Sequence, residues 1–266
     1  MRLRVPRDRR QSLQQQLGDM PLMPDRPWAL FLDVDGTLLD IARSPREVEV
    51  PPGLTKTLEE AWQGLDGALA LVSGRTIADL DCLFEPLRLP AAGQHGSEVR
   101  LTWDGSVAQI PGAPIGPALR REIDELAQAL PGVMIEDKGR TLAVHYRARS
   151  AAGDHLAREL GELVTREGEA LELVRGKMVI EVRDPRHSKA NAVEAFMAER
   201  PFAGRRPVFL GDDVTDEDGF ATVERLSGIA MPVGRSDARG RDAVFASPSE
   251  VRDWLSALTR RLQAGV

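Results

Sequence analysis

Residues 28–37 read WALFLDVDGT, an apolar run of five followed by two carboxylates, a glycine and a hydroxyl. A short apolar run of this kind predicts a buried β-strand from Trp28 to Leu32, which delivers Asp33 and Asp35 to its C-terminal end. Ligands of α/β proteins bind outside the carboxyl ends of the strands. The stretch therefore predicts the functional edge of a parallel sheet.

The two aspartates are close enough to need a compensating charge. Side chains at positions i and i+2 share one side of an extended strand, and crowded like charges require a cation, a proton or a positive partner. Hard carboxylate oxygens suit Mg²⁺. Gly36 allows a tight turn, so that amides and the hydroxyl of Thr37 can face an anion. Taken alone, the pentapeptide DVDGT is also compatible with an acidic turn after a strand.

Composition bounds the class of protein. The chain has 266 residues, 42% of them hydrophobic, and a formal charge of −6, which allows one large or two modest domains and argues against a nucleic-acid partner. No run approaches the roughly 20 apolar residues that span a bilayer, so no membrane partner is expected. A single cysteine, Cys82, excludes an internal disulfide and predicts a cytoplasmic protein. Residues 1–25 are interpreted as a flexible N-terminal arm, without the apolar region of a secretory signal.

The order of elements predicts two architectures. Residues 26–110 and 185–266 alternate short strands with helices, which is typical of an α/β, Rossmann-like doubly wound parallel sheet. Residues 111–184 follow the order α-β-β-α-β-β and form an inserted α+β unit. Its last strand is predicted over 177–182, with Met178, Ile180 and Val182 on its apolar face, and a short strand is predicted near 243–245.

Reactive side chains stand at four of the predicted strand ends or helix starts: Asp33 with Asp35, Ser73, Lys189, and Asp212 with Asp213. Singly, each is typical of a turn or a solvated charge. Together and in this order they resemble the four motifs of the haloacid dehalogenase superfamily of phosphatases. That resemblance covers nearly the whole chain from Trp28 onward and implies phosphoryl transfer through a covalent aspartyl phosphate.

The resemblance assigns expected roles. Asp33 is the expected nucleophile and Asp35 the general acid and base, while Thr37, Ser73 and Lys189 offset the phosphate charge. A Mg²⁺ cofactor is expected on the Asp33 carboxylate, the Asp35 backbone carbonyl and Asp212, with Asp213 orienting bound water.

Motif spacing places the inserted unit between the second and third motifs. Ser73 follows Asp33 by only 40 residues, whereas Lys189 follows Ser73 by 116. The unit at 111–184 therefore resembles the C2-type α/β cap of these phosphatases, which closes over the pocket and selects the leaving group.

Polar residues in this unit indicate the substrate class. Lys177 and Glu181 share one strand face, and His145 and Arg147 lie opposite an apolar face; acids and bases together suit a polyhydroxylated ligand, although a solvated sheet face is the alternative. The segments Glu136-Asp137-Lys138, His145-Tyr146-Arg147 and 176–183, with Gly93-x-His95-Gly96, resemble the trehalose-6-phosphate phosphatase family.

The narrower resemblance implies a substrate-binding set. Sugar contacts are expected from Glu136, Lys138 and Glu181, and phosphate-side contacts from Arg147 and Lys177; the expected set also includes Ser73, Gly74, Arg75 and His95. Three residues depart from the family pattern: Gln94, Thr141 and Ala190.

The expected function is magnesium-dependent hydrolysis of trehalose 6-phosphate, by a monomer whose partner is a small sugar phosphate. Sucrose phosphate or mannosyl-3-phosphoglycerate is the alternative substrate. A receiver-like regulatory domain or a sugar-phosphate sensor is the non-enzymatic alternative.

Overall fold

The structure is a computed structural model that describes residues 27–42, 47–176, 178–234, 240 and 242–264. The predicted N-terminal arm at 1–25 and Lys177 lie outside the described residues. The strands are β1 (Trp28–Leu32), β2 (Leu69–Val72), β3 (Ala91–Gly93), β4 (Glu98–Arg100), β5 (Ala108–Gln109), β6 (Met134–Asp137), β7 (Leu142–His145), β8 (Glu172–Gly176), β9 (Val179–Arg183), β10 (Arg206–Gly211) and β11 (Ile229–Pro232). The helices are α1 (Leu54–Gly64), α2 (Ile77–Leu83), α3 (Pro117–Gln128), α4 (Gly153–Thr165), α5 (Lys189–Ala198), α6 (Glu217–Arg225) and α7 (Pro248–Ala264).

The larger sheet has the strand order β11-β10-β1-β2-β3-β4-β5. The strands from β11 to β3 are parallel, and β4 and β5 add an antiparallel edge. Parallel neighbours need crossover connections, which the helices supply. This arrangement confirms the predicted α/β class with a doubly wound parallel sheet.

The alternation of side chains along β1 explains why helices cover both faces of this sheet. Trp28, Leu30 and Leu32 belong to a hydrophobic cluster that includes residues of α1, α2 and α7. Ala29 and Phe31 belong to a second cluster, with residues of α5 and α6. Because successive strand side chains point to opposite faces, a strand buried on both faces must be apolar throughout.

The smaller sheet is antiparallel throughout, in the order β6-β7-β9-β8. Helices α3 and α4 pack on it around a third hydrophobic cluster, which includes Leu142, Val144, Leu160, Ile180 and Val182. All of these elements lie between residues 117 and 183. The sequence boundaries of the inserted unit, 111–184, remain a prediction.

Three sequence predictions differ from the structure. Arg147 does not share a strand face with His145, because the backbone leaves the extended conformation at Tyr146 (φ −126°, ψ 21°) and Arg147 begins a short 3-10 helix. The strand near 243–245 is reduced to an isolated bridge between Val233 and Phe245. Met178 does not lie on an apolar strand face: it has a φ of +64° and is 39% exposed, in the turn that joins β8 to β9. A hairpin must reverse at a residue that can adopt a left-handed conformation, and strand periodicity does not show where that reversal falls.

The strand order brings the predicted motifs to one edge. Leu32, at the end of β1, is paired with Leu210 of β10 on one side and with Leu71 of β2 on the other. The residues that follow these three strands therefore meet at the carboxyl edge of the sheet. Among the described residues, no helix is both long and apolar enough to cross a membrane.

We expect the aromatic cluster beneath β1 to contribute strongly to stability. Phe202 is buried, and its ring centroid lies 5.6 Å from that of Phe31 and 4.9 Å from that of Phe196. Phe202→Ala should lower the free energy of unfolding by about 3–5 kcal/mol because it leaves a cavity among these rings. Urea denaturation measures the change, and Phe202→Leu is the matched control that should cost less than half as much. A loss below about 1 kcal/mol for Phe202→Ala would contradict this packing.

Candidate active site

Asp33 lies at the end of β1 and is buried. Its backbone N–H donates to the carbonyl of Leu210 (3.0 Å), and its Oδ2 accepts a hydrogen bond from the buried hydroxyl of Thr37 (3.0 Å). Gly36 has a φ of +87°, as the predicted tight turn requires. The turn thus returns Thr37 to the carboxylate that precedes it by four residues.

The buried ammonium group of Lys189 joins Asp33 to Asp216, which follows the fourth motif. Nζ of Lys189 donates to Oδ1 of Asp33 (2.7 Å) and to Oδ1 of Asp216. Burial alone would lower the pKa of Lys189, but the carboxylates of Asp216 and Asp33 raise it well above its ordinary value. Lys189, the first residue of α5, therefore carries a fixed positive charge at this edge.

The acidic cluster has the chemistry of a cation site. Carboxylate oxygens of Asp33, Asp212 and Asp216 lie within 4.8 Å of one another. Burial raises the pKa of Asp33 well above its ordinary range, and Asp216 and Asp212 add to this while Lys189 opposes it. Carboxylate oxygens grouped in this way are the ligands that a hard divalent cation takes.

Gly36 makes room for this cluster. A Cβ atom at Gly36 would lie 2.2 Å from Oδ2 of Asp212, a distance that no side chain tolerates. The absence of a side chain is therefore what lets the Asp212 carboxylate approach the turn after β1. These residues fit Mg²⁺ because carboxylate oxygens are the ligands that it prefers. Gly36 leaves the space in which these oxygens can come close together.

Asp213 lies outside the group of three carboxylates. Its side chain accepts a hydrogen bond from the backbone N–H of Asp216, and its own N–H donates to Oδ2 of Asp216 (2.9 Å), in a reciprocal capping arrangement. The expected water-orienting role of Asp213 remains a prediction.

Asp35 faces a guanidinium group. Nε and Nη2 of Arg75 contact the two carboxylate oxygens of Asp35 at 2.6 and 2.7 Å, in a bidentate pair. Ser73 is buried, and its Oγ accepts a hydrogen bond from the backbone N–H of Arg75 (3.2 Å). The loop after β2 thus places the Arg75 guanidinium on Asp35, with the buried Ser73 hydroxyl two residues before it.

Residues of the smaller sheet cover this loop. Nζ of Lys138 donates to the carbonyl of Gly74 (2.9 Å) and to Oε1 of Glu181 (3.3 Å). Oε2 of Glu181 lies 2.7 Å from Nε2 of His95, and both side chains are buried. Burial alone would raise the pKa of Glu181, but His95 and Lys138 lower it far below its ordinary value. Burial lowers the pKa of His95, an effect that Glu181 opposes.

The expected sugar contact Glu136 and the expected phosphate-side contact Arg147 lie in different surroundings. Glu136 lies 3.0 Å from Nε2 of His145 and 3.9 Å from Nζ of Lys138, so that it joins the cluster around Glu181. Arg147 instead donates to the carbonyl of Ala42, in the segment that follows Thr37. The structure therefore brings together Glu136, Lys138, Glu181 and His95. Arg147 contacts a different segment, the one that follows Thr37.

Sequence reasoning did not assign Asp216 a role, although this residue pairs with Lys189. The available signal is its spacing: Asp216 follows Asp212 by four residues, after a strand and before α6. Gly211 adds support, because a Cβ there would lie 2.3 Å from Cγ of Asp216.

Gly36 should be required for cation binding and not only for the turn. We expect Gly36→Ala to weaken Mg²⁺ binding at least about tenfold, because the new methyl group displaces Asp212 from the cluster. Isothermal titration calorimetry measures the affinity. Gly53→Ala is the matched control: Gly53 has a φ of +85° but open space around its Cβ position, so it should lose about 1–2 kcal/mol of stability and keep its Mg²⁺ affinity. Equal affinities in the two variants would contradict the role of Gly36.

Comparisons with known proteins agree with this arrangement. The family model described as trehalose-phosphatase matches residues 31–249. The chain is 44% identical to a probable trehalose-phosphate phosphatase of Sinorhizobium fredii, over 87% of each chain. It is 38% identical to the trehalose-6-phosphate phosphatase of Escherichia coli, over 89% of this chain and 88% of the relative.

A solved structure confirms the predicted fold. The C-terminal domain of trehalose-6-phosphate phosphatase from C. albicans superposes with a TM-score of 0.78 at 20% identity, over 94% of this chain and 96% of that one. At this identity the likeness shows the fold alone, whereas the family match and the two relatives extend to the sequence that carries the site. The chain therefore belongs to the trehalose-phosphatase family and is an enzyme of the phosphoric monoester hydrolase class.

Proposed function

We propose that this protein hydrolyses trehalose 6-phosphate to trehalose and phosphate, with Mg²⁺ and through a phosphoaspartyl intermediate. The observation that carries the proposal is the buried Asp33 carboxylate, which accepts hydrogen bonds from Lys189 and Thr37. The names of the two relatives support the choice of substrate.

Asp33 is the nucleophile in this proposal. Its carboxylate is oriented by one hydrogen bond on each oxygen, from Lys189 and from Thr37. A carboxylate oxygen attacks phosphorus, the new O–P bond forms in line, and the bond from phosphorus to the sugar oxygen breaks. The fixed charge of Lys189 offsets the negative charge on the transferring group, and the hydroxyl of Ser73 can donate to it. The hydroxyl of Thr37 would donate to the phosphate once it exchanges its hydrogen bond to Asp33.

Asp35 moves the proton. It protonates the departing sugar oxygen, then accepts a proton from the water that attacks the phosphoaspartyl group, which releases phosphate and restores Asp33. In the structure Arg75 donates to both carboxylate oxygens of Asp35. In the proposal Arg75 moves to the arriving phosphate, which frees Asp35 to take up a proton from solvent before the sugar oxygen departs.

Asp33, Asp212 and the backbone carbonyl of Asp35 would hold the Mg²⁺ ion. When bound, the ion neutralises charge on the phosphate oxygens. The grouping of carboxylate oxygens from Asp33, Asp212 and Asp216 within 4.8 Å of one another is the structural reason to expect it.

The unit at 111–184 is proposed to act as a cap that selects the sugar. Glu136, Lys138 and Glu181 form one polar cluster above Gly74. Paired acids and bases can exchange their mutual hydrogen bonds for those of sugar hydroxyls, which both donate and accept. A cap closed over the edge of the larger sheet also excludes water from the phosphoaspartyl group.

Phosphate release from a panel of sugar phosphates tests the substrate. We expect trehalose 6-phosphate to be hydrolysed with a kcat/KM at least about tenfold above those of sucrose 6-phosphate and mannosyl-3-phosphoglycerate, because the polar cluster is proposed to bind the distal ring in the position that the linkage of trehalose gives it. Activity should disappear after removal of Mg²⁺ with a chelator and return when Mg²⁺ is added. Equal or higher activity on another member of the panel would refute the substrate, and full activity without divalent cations would refute the cofactor.

Two variants separate the roles of the aspartates. Asp33→Asn should abolish turnover because it removes the nucleophile, whereas Asp35→Asn should lower kcat by about 10²–10⁴, the usual contribution of a general acid and base. Both should unfold cooperatively near the wild-type temperature, as measured by circular dichroism. Rapid acid quench and mass spectrometry should detect a phosphoryl group on Asp33 in the Asp35→Asn protein. Turnover by Asp33→Asn at a wild-type rate would exclude the covalent pathway.

A further inference from the structure

The turn Gln94–Gly96, after β3, has an unusual backbone. Gln94, His95 and Gly96 have consecutive φ values of +46°, +54° and +102°. Left-handed residues other than glycine cost roughly 1–2 kcal/mol each, so two of them in succession persist only where the surroundings hold them. The hydrogen bonds and the packing around this turn indicate its role.

The turn holds the loop that follows β2. The backbone N–H of Gln94 donates to the carbonyl of Arg75 (2.8 Å), and the N–H of His95 donates to the carbonyl of Ser73 (2.9 Å). The His95 ring lies against Gly74, where a Cβ would be 2.5 Å from Nε2. The left-handed conformation therefore supplies two donors to the Ser73-Gly74-Arg75 loop and aims the His95 ring at Glu181.

One carboxylate, that of Glu98 in β4, joins this turn to the helix on the other side of the loop. Its Oε1 accepts a hydrogen bond from Nε2 of Gln94 (2.8 Å), and its Oε2 accepts one from the backbone N–H of Ile77 (2.9 Å), the first residue of α2. Gly93 has no side chain to intervene: a Cβ there would lie 2.9 Å from Oε2 of Glu98.

We infer that Glu98 is a positioning residue for the proposed reaction, with Gln94 as its paired donor. Glu98 joins the turn 94–96 to the start of α2, the two segments that hold the Ser73-Gly74-Arg75 loop between them. It therefore fixes the positions of the Ser73 hydroxyl and the His95 ring. The catalytic consequence of this inference rests on the proposed function; the effect on the loop itself does not. Glu98 touches no reacting atom and acts through the loop.

The hydrogen bond between Gln94 and Glu98 has one direction, and exchanging the two residue types would reverse it. Gln94 donates and Glu98 accepts, while Oε1 of Gln94 is buried and has no hydrogen-bond partner within the described part of the chain. In Gln94→Glu two carboxylates would face each other across a partly buried contact. In the double variant Gln94→Glu/Glu98→Gln, the amide introduced at position 98 can donate to the carboxylate at position 94 and still accept from Ile77.

The experiment compares the wild type, both single variants and the double variant. We expect Gln94→Glu to lower kcat/KM for trehalose 6-phosphate by about 10–100-fold, and the double variant to recover to within about 3-fold of the wild type. Glu98→Gln should lie between them, because a flipped Gln94 amide can partly replace the lost contact. Retention of wild-type activity by Gln94→Glu, or failure of a folded double variant to recover, would overturn the inference.

Amide hydrogen exchange provides a readout that needs no substrate. In Gln94→Glu, exchange should accelerate at least about tenfold at the backbone N–H groups of Ile77, His95 and position 94, and return toward the wild-type rate in the double variant, while exchange in β1 and β10 stays unchanged. Uniform acceleration throughout the chain would indicate general destabilisation and refute a positioning role. If trehalose 6-phosphate is not a substrate, this exchange pattern still decides the inference, so the two failures are distinguishable.

Gln109→Glu is the matched control. Gln109 also donates to Oε1 of Glu98, at 3.3 Å, but from the exposed strand β5. A carboxylate there can turn into solvent, where repulsion is screened, so activity should stay within about twofold of the wild type. A loss equal to that of Gln94→Glu would mean that any added charge near Glu98 is harmful, which would overturn the specific role of the turn.

Discussion

The site depends on the two ion pairs that the ammonium group of Lys189 makes. This group is buried between Asp33 and Asp216, and Asp212 adds a third carboxylate to the same small volume. Carboxylates this close repel one another strongly when they are removed from water. Lys189 makes that concentration of carboxylates tolerable by pairing with Asp33 and Asp216 at once.

Backbone geometry sets how closely these charges can approach. Gly36 and Gly211 lie where a Cβ would collide with Asp212 and Asp216, respectively. The parallel order of β10, β1 and β2 then places the three loops side by side. The sheet therefore supplies a rigid edge, and the glycines let functional groups from distant parts of the chain occupy it together. Rigid strands position such groups more precisely than loops alone.

The smaller sheet contributes a second polar cluster, which contacts the edge through Lys138 and the carbonyl of Gly74 and through Glu181 and His95. Its own hydrophobic cluster is separate from the two that flank the larger sheet. The same loop, Ser73 to Arg75, thus faces Asp35 on one side and the smaller sheet on the other. This loop is the physical link between the proposed chemistry of the phosphate and the proposed recognition of the sugar.

The sequence by itself determined the fold class, the strand that ends at Asp33 and the positions of the four motifs, because a strand buried on both faces is apolar and then ends abruptly in polar residues. It also predicted that His145 lies opposite the apolar residues Leu142 and Val144. Only the tertiary structure decided which charges pair: Asp216 with Lys189, Arg75 with Asp35, and Glu98 with Gln94. The turn at Met178 and the reduction of residues 243–245 to a bridge also depended on it. The reason is that periodicity records which face of an element is buried, whereas the partner of a charge depends on the strand order and on distances that join residues far apart in the chain.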